Sequence, residues 1–351
     1  MARTEHMRPP GFHPERPGLV LPVRVDPTGV LGPTPKQARG PHWRRTSHGF
    51  YVPSTVSCDV QQRIVESAHH LGRASAVTGW AALAWRGATW LDGQSTGGRP
   101  LPVEIASLQR SVRPQLGTVV TGECVPPPLR TAVDGLRVVT AVSAVAFAMR
   151  YATNVLAAVR VFDMAAHADL VSRDELLEHL ELLYHWTGIP QAREAALLVD
   201  ENAWSPPEVD VRVVWPVDLR LDPPLTNRPV FDLSGRHVGT PDLLDVSAGL
   251  AVQYDGSLHL AGKQRAKDLL TADDLRRVGL ECLELVSADV REHARLVRRV
   301  REARERALSA SRVRRWTTEA PPWWTPTHTV ELRRALTPTQ QDRLLGYRRS
   351  A

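Results

Sequence analysis

"GTPDLLDVSAGLAVQYDGSLHL", residues 239–260, decides how the second half of the chain is read. Leu250, Ala251 and Val252 have the unbroken apolar character of a buried strand. Yet Asp242, Asp245, Asp255 and His259 crowd its margins. A carboxylate beside a core strand is costly unless paired, hydrogen-bonded or bound to a metal. Read as a hairpin turning at Ala248-Gly249, the stretch sets Ser247 against Leu250, Leu244 against Gln253 and Asp242 against Asp255. Alternate side chains share a face, so Asp242, Leu244, Gln253 and Asp255 fall together. Two adjacent carboxylates repel unless a proton or cation lies between them. Mg²⁺ is held by one or two carboxylates with waters completing its shell. Alanine suits a tight hairpin turn poorly, so a longer loop is the alternative, and a one-residue slip would part the two acids.

Gly256 lets the chain turn, and His259, four residues beyond Asp255, has the chemistry of a general acid or base. Lys263, Arg265 and Lys267 follow at the start of a helix, placed to neutralise an anionic substrate. Upstream, "SPPE" (205–208) reads as a capping box: Ser205 caps, Pro206 takes the first turn, and Glu208 reaches back to the cap's N–H. A carboxylate at a helix start also suits a metal site. Asp242 behind Pro241 has the plainer reading of a solvated strand start, Asp255-Gly256 that of an ordinary turn, and His259 that of a structural histidine. Asp245, Asp273 and Asp274 are assigned to solvent or helix capping.

Working outward, strands are expected at 211–217, 229–233, 242–246, 250–254 and 280–286, with helices near 262–278 and at 288–309. This is an α/β unit over 203–310. Residues 291–315 hold ten arginines against three glutamates. With Leu296, Val297 and Val300 facing the core, the arginines form either a phosphate track or a solvated face laced with Glu–Arg pairs. The Trp/Pro/Arg-rich tail, 311–351, shows no periodicity.

Towards the N-terminus, residues 1–33 are irregular and Pro/Gly-rich. "TPKQARG" (34–40) suggests a short helix capped by Thr34, and "HWRRTSHGFYVP" (42–53) a hairpin turning at His48-Gly49. A short basic helix followed by a basic hairpin is the order at the recognition end of a winged helix, which would put Arg39, His42, Arg44 and Arg45 against phosphates. A solvated basic turn is the plainer reading. Helices are expected at 57–72 and 76–87, strands in "LPVEIASL" and "GTVVTGECV", then a strand and two helices over 135–170. A helix over 172–186 opens with Ser172 and Glu175, and another covers 190–200.

A chain of 351 residues, 42% hydrophobic and 23% charged, is globular and long enough for two or three domains. The net charge of +6 and pI near 9.6 permit a polyanion partner. No apolar run approaches the roughly 20 residues of a membrane helix, and the N-terminus lacks a secretory core, so no membrane role and a cytoplasmic location are expected. Cys58, Cys124 and Cys282 are odd in number and far apart, which argues for reduced, mostly buried thiols rather than a disulfide framework or a C-x-x-C zinc site.

The order Glu208, Pro241-Asp242, an apolar strand, then Asp255-Gly256-x-x-His259 resembles very-short-patch-repair-like endonuclease domains of the PD-(D/E)XK superfamily. "NRPVFDLSGRHVGTPDLLD" followed by "YDG" and a histidine is similar, more closely, to a group of actinobacterial proteins. Members of that broader group often carry an N-terminal part similar to AbiEi-type antitoxins, which are winged-helix repressors; "RRTSHGFYVP" and "AVTGWAALAWRG" resemble that part. The nuclease-like resemblance spans about 203–310, the antitoxin-like one about 34–200. It implies a winged-helix-like and helical N-terminal region, then a restriction-endonuclease-like mixed sheet flanked by helices. It also implies a Mg²⁺-dependent phosphodiesterase with Asp242 as main ligand and Glu208 and His259 in supporting roles, DNA as substrate and a nucleotidyltransferase-like toxin as partner; Asp255 is a further ligand only on the hairpin reading given above. Two positions depart from the pattern: Gln253 stands where the family usually has Glu, and Asp255 where it has Lys. Two functions are therefore carried forward, an endonuclease and an antitoxin-like transcriptional regulator with an inactive nuclease fold, beside a scaffold without nucleic-acid function.

Overall fold

A computed structural model describes residues 16–346 apart from 70, 73, 96, 109–114, 116 and 256–271. Their architecture is mixed α/β, with four sheets among the described residues, two of them mixed and two antiparallel. Described residues up to Tyr151, with His179–Tyr184, form one compact unit; Ala152–Glu178 and the chain from His185 onward form the second. The helical segment after Tyr151 thus goes with the second unit, where sequence reading had drawn the line near residue 200.

In the first unit, β1 (Val23–Arg24), β2 (Trp43–Ser47) and β3 (Phe50–Pro53) make a small antiparallel sheet in the order β1-β3-β2. The expected turn is present: Gly49 takes φ +75°, a conformation that favours glycine. The expected helix at 34–40 is a single 3₁₀ turn, Gln37–Arg39. Thr34 and Gln37 cap it reciprocally, through Gln37 N to Thr34 Oγ1 at 3.3 Å and Thr34 N to Gln37 Oε1 at 2.8 Å. A five-stranded sheet runs β6 (Thr118–Thr121), β5 (Val103–Ala106), β4 (Ala76–Val77), β8 (Leu136–Val139), β7 (Arg130–Val133). The helix expected over 76–87 begins with strand β4, and α2 starts only at Gly79 and ends at Trp85, every residue buried. Gly79 has φ +58° and no room for a Cβ, which would strike the Glu104 carboxylate. α1 (Val60–Ala68) and α3 (Ala141–Arg150) pack beside it; α4 (Val155–His167), α5 (Arg173–Leu182) and α6 (Ile189–Ala196) follow along the chain.

The second unit is built on a four-stranded sheet ordered β14 (Glu281–Val286), β13 (Leu250–Asp255), β12 (Leu243–Asp245), β9 (Leu225–Thr226). β13 pairs antiparallel with β12 and parallel with β14. It is covered on both sides, which explains its continuous apolar run. Leu243, Leu250, Val252, Leu283 and Leu285 pack against Trp215 and against Leu296, Val300 and Ala303 of α10 (His293–Ser309). Leu244 and Ala251 turn the other way, towards Val230, Leu275 and Trp316. Residues 272–277, carrying Leu275, form α8, and α9 (Ser287–Arg291) lies between β14 and α10.

The strand expected at 211–217 is instead the end of α7 (Pro206–Arg212) and a π-helical turn at Trp215–Leu219. β-Branched Val209, Val211 and Val213 mimic strand alternation, but Ser205-Pro206 starts a helix whose Val211, with Val214 and Trp215 beyond it, turns to the sheet. The tail is folded too. Trp316 lies in β15 (Trp316–Thr317), which completes a second sheet, β11 (His237–Gly239)-β10 (Val230–Asp232)-β15. Arg333 of α11 (Val330–Arg334) is fully buried, donating to the Thr327, Ala166 and Glu201 carbonyls and pairing with Asp169. All three cysteines are free, but Cys58 and Cys124 are exposed, against the expectation of mostly buried thiols.

Candidate functional site

The loop joining β12 to β13 spans four residues, Val246 to Gly249, instead of two. Asp245 organises it: its carboxylate accepts from Ser247 Oγ at 2.6 Å and Ala248 N at 2.9 Å, while its carbonyl accepts from Gly249 N. The register slides by two as a result. Leu243 faces Val252 and Leu244 faces Ala251, so the next position sets Asp242 against Gln253, not Asp255. A slip of two keeps every side chain on its face. Asp242, Gln253 and Asp255 therefore still share one, with Asp255 farther along β13.

At the centre of this face is Asp242, 9% exposed. Gln253 Nε2 donates to its Oδ1 at 2.9 Å, and the Tyr254 N–H donates to its Oδ2 at 2.6 Å. A carboxylate only accepts, so the Gln253 amide must present nitrogen to it. The amide N–H thus occupies the side of Asp242 on which a neighbouring acid would need a bridging cation.

Glu208, also buried, belongs to the same neighbourhood. Its carboxylate accepts from Ser205 Oγ at 2.8 Å, from the Trp204 N–H at 2.9 Å and from Asn227 Nδ2 at 2.7 Å. The capping reach lands one residue earlier than a capping box requires, on the residue before the cap. Burial pushes its carboxyl upward, opposed by those three donors. Asn227, in the left-handed region at φ +47°, joins the two acids: its side chain holds Glu208 and its N–H donates to the Asp242 carbonyl at 2.8 Å. Asn202 Nδ2 in turn donates to the carbonyls of Thr226 and Asn227.

Asp245, assigned from sequence to solvent or helix capping, is buried. Besides its loop it accepts from Trp215 Nε1 and Arg304 Nε, both at 2.9 Å. Burial alone would raise its carboxyl, but Ser247, Trp215, Ala248 and Arg304 together hold it below the ordinary value. Arg304 is one of several α10 arginines fastened to the sheet side: Arg295 and Arg299 pair with Asp289, Arg306 with Glu281, and Arg312 beyond the helix also with Glu281. Arg298 and Arg301 point to solvent. The helix is mainly a cross-linked cover for the sheet.

In the first unit, Arg39, His42 and Arg45 are exposed on and before the basic hairpin. Arg44 differs. It makes two 2.7 Å bonds to the buried Glu66, which also accepts from Gln62. That fork holds β2 to α1 and takes Arg44 out of the set of free phosphate contacts.

His259, Lys263, Arg265 and Lys267 lie outside the described residues. Among the described residues no three His, Cys, Asp or Glu side chains come together as a metal-binding group. N–H groups approach both oxygens of Asp242, and three donors hold Glu208, so both acids are hydrogen-bonded within the protein without a cation. Comparison with family models, curated proteins and solved structures finds no match.

Proposed function

We propose that the chain is a DNA-binding regulator whose second unit is a PD-(D/E)XK-like fold with a hydrogen-bonded, catalytically silent carboxylate centre. The observation that carries this reading is the Gln253 amide donating to Asp242, where hydrolysis would need a cation and a second acid. The sheet is compatible with that fold: β9, β12 and β13 run antiparallel, β14 joins in parallel, and α10 covers one of its faces. DNA contact falls to the winged-helix-like hairpin, where exposed Arg39 and Arg45 have the charge, and His42 the access, to meet phosphates. A nucleotidyltransferase-like toxin as partner and a cytoplasmic location belong to the same reading.

Duplex binding measured by anisotropy over a salt series tests it. The full-length protein should bind with an affinity that falls as salt rises, and Arg39→Ala or Arg45→Ala should each reduce the logarithmic salt slope by about 0.9. Binding that ignores salt, or a slope unmoved in both variants, contradicts it. The endonuclease reading draws on one observation of its own, the linkage of Glu208 to Asp242 through Asn227. Mg²⁺-dependent plasmid cleavage by the parent, absent in Asp242→Ala, would favour it.

A further inference from the structure

The segment 316–326, whose Trp and Pro content has no role in the reading above, lines a cavity of about 740 Å³ in the second unit. Trp204, Trp323, Trp324, Asn227, Arg228 and Arg343 contribute to its walls. Trp324 stacks on His237 at 5.0 Å and meets Trp323 edge-on at 5.7 Å, which fixes the two adjoining indoles. Trp323 remains 61% exposed, a large aromatic face left to water. Asn227 is only 4% exposed, and its two side-chain N–H bonds go to Asn202 O and Glu208. Its Oδ1 is buried with no hydrogen-bond partner among the described residues. A buried acceptor left in that state is unfavourable; it is closed to solvent, so a ligand N–H satisfies it once the Asn227 amide shifts towards the cavity that the residue lines.

The charge of the walls narrows the ligand. Arg228 is half-buried and makes no ion pair or hydrogen bond with the described residues. Asp200 acts on it only through space. Arg343 is exposed at the rim, and Glu319 is the one carboxylate among the lining residues. Two guanidiniums disfavour a quaternary ammonium or a methylated lysine, which aromatic cages otherwise accept. An uncharged sugar would leave Arg228 uncompensated. An aromatic ring with an N–H donor and an attached anion satisfies all three features.

We propose that this cavity binds a nucleotide, with an amino-bearing base stacked on Trp323, its N–H donating to Asn227 Oδ1, and its phosphate on Arg228. The nucleotide is either free or an unpaired residue of a strand, since the recognising chemistry is the same. The assignment does not depend on the duplex-binding reading.

The full-length protein is titrated with AMP, with ribose 5-phosphate, and with a single-stranded adenine oligonucleotide beside an abasic strand of equal length. Tryptophan fluorescence and calorimetry are the readouts. AMP and the adenine strand should bind saturably, and the two base-free ligands should not. Trp323→Ala, at an exposed position, should weaken AMP roughly tenfold. Arg228→Gln should weaken AMP comparably and leave adenosine unchanged. A strand held at least about tenfold more tightly than AMP, and displaced by it, identifies nucleic acid as the source; weaker or equal binding identifies the free nucleotide. No binding of either, binding of ribose 5-phosphate as tight as AMP, or affinity unchanged in both variants overturns the proposal. So does loss of AMP binding in Arg39→Ala/Arg45→Ala, which would place the ligand at the hairpin.

Discussion

Asp245 shows what single residues decide here. It looked like a solvated acid because its partners are remote in sequence: Trp215 lies 30 positions before it and Arg304 59 after. Arg304→Ala would leave the carboxylate buried with its cation gone, so urea unfolding should show a loss of about 3 kcal/mol, and a loss under about 1 kcal/mol would refute that role. Glu104 in the first unit gives a pH signature. Burial, with Glu123 nearby, lifts its carboxyl from 4.5 to about 7, although the Trp80 N–H pulls the other way. The folded chain therefore holds this proton more tightly than the unfolded chain. Its contribution is complete below pH 4.5 and is lost as pH rises towards 7, amounting to about 3 kcal/mol. Glu104→Gln should remove that component of the decline in unfolding midpoint across this window; an unchanged pH profile would show that Glu104 does not cause it.

At the scale of elements, α10 was legible because Leu296 and Val300 repeat at helical spacing and both are buried. The role of its arginines was not, since one basic stripe is written alike for a phosphate track and for ion pairs. Leu296→Ala should cost about 2–4 kcal/mol and Arg298→Ala within about 0.5 kcal/mol, both read from denaturant midpoints; equal effects would refute the assigned faces. The β12–β13 hairpin was readable as two strands from its apolar core, and its shared face survived because the register moved by an even number. The loop length was not readable, since it depends on an Asp245 side chain bonding to the Ala248 N–H. The end of α7 and the turn after it were mistaken for a strand because valines at alternate positions serve either period, and the helix started at Ser205-Pro206 runs on through them.

For the whole molecule, composition gave a globular chain with a positive balance but not where that charge is used. Much of the arginine is internal: Arg44, Arg304 and Arg333 tie elements together within their units. Among the described residues no helix is long and apolar enough to cross a membrane. What the molecule does turns on whether Asp242 is closed by Gln253 and Tyr254 or opens to a cation. The melting temperature of the full-length protein in chelator and in excess Mg²⁺ or Mn²⁺ tests this most directly, with Gln253→Glu and Asp242→Ala alongside. We expect the parent to melt at the same temperature in both conditions. Gln253→Glu, with two acids face to face, should melt lower in chelator and recover with metal, by about 2.7 kcal/mol at a hundredfold excess over its dissociation constant. A parent stabilised by the metal, with that gain absent in Asp242→Ala, would contradict the account.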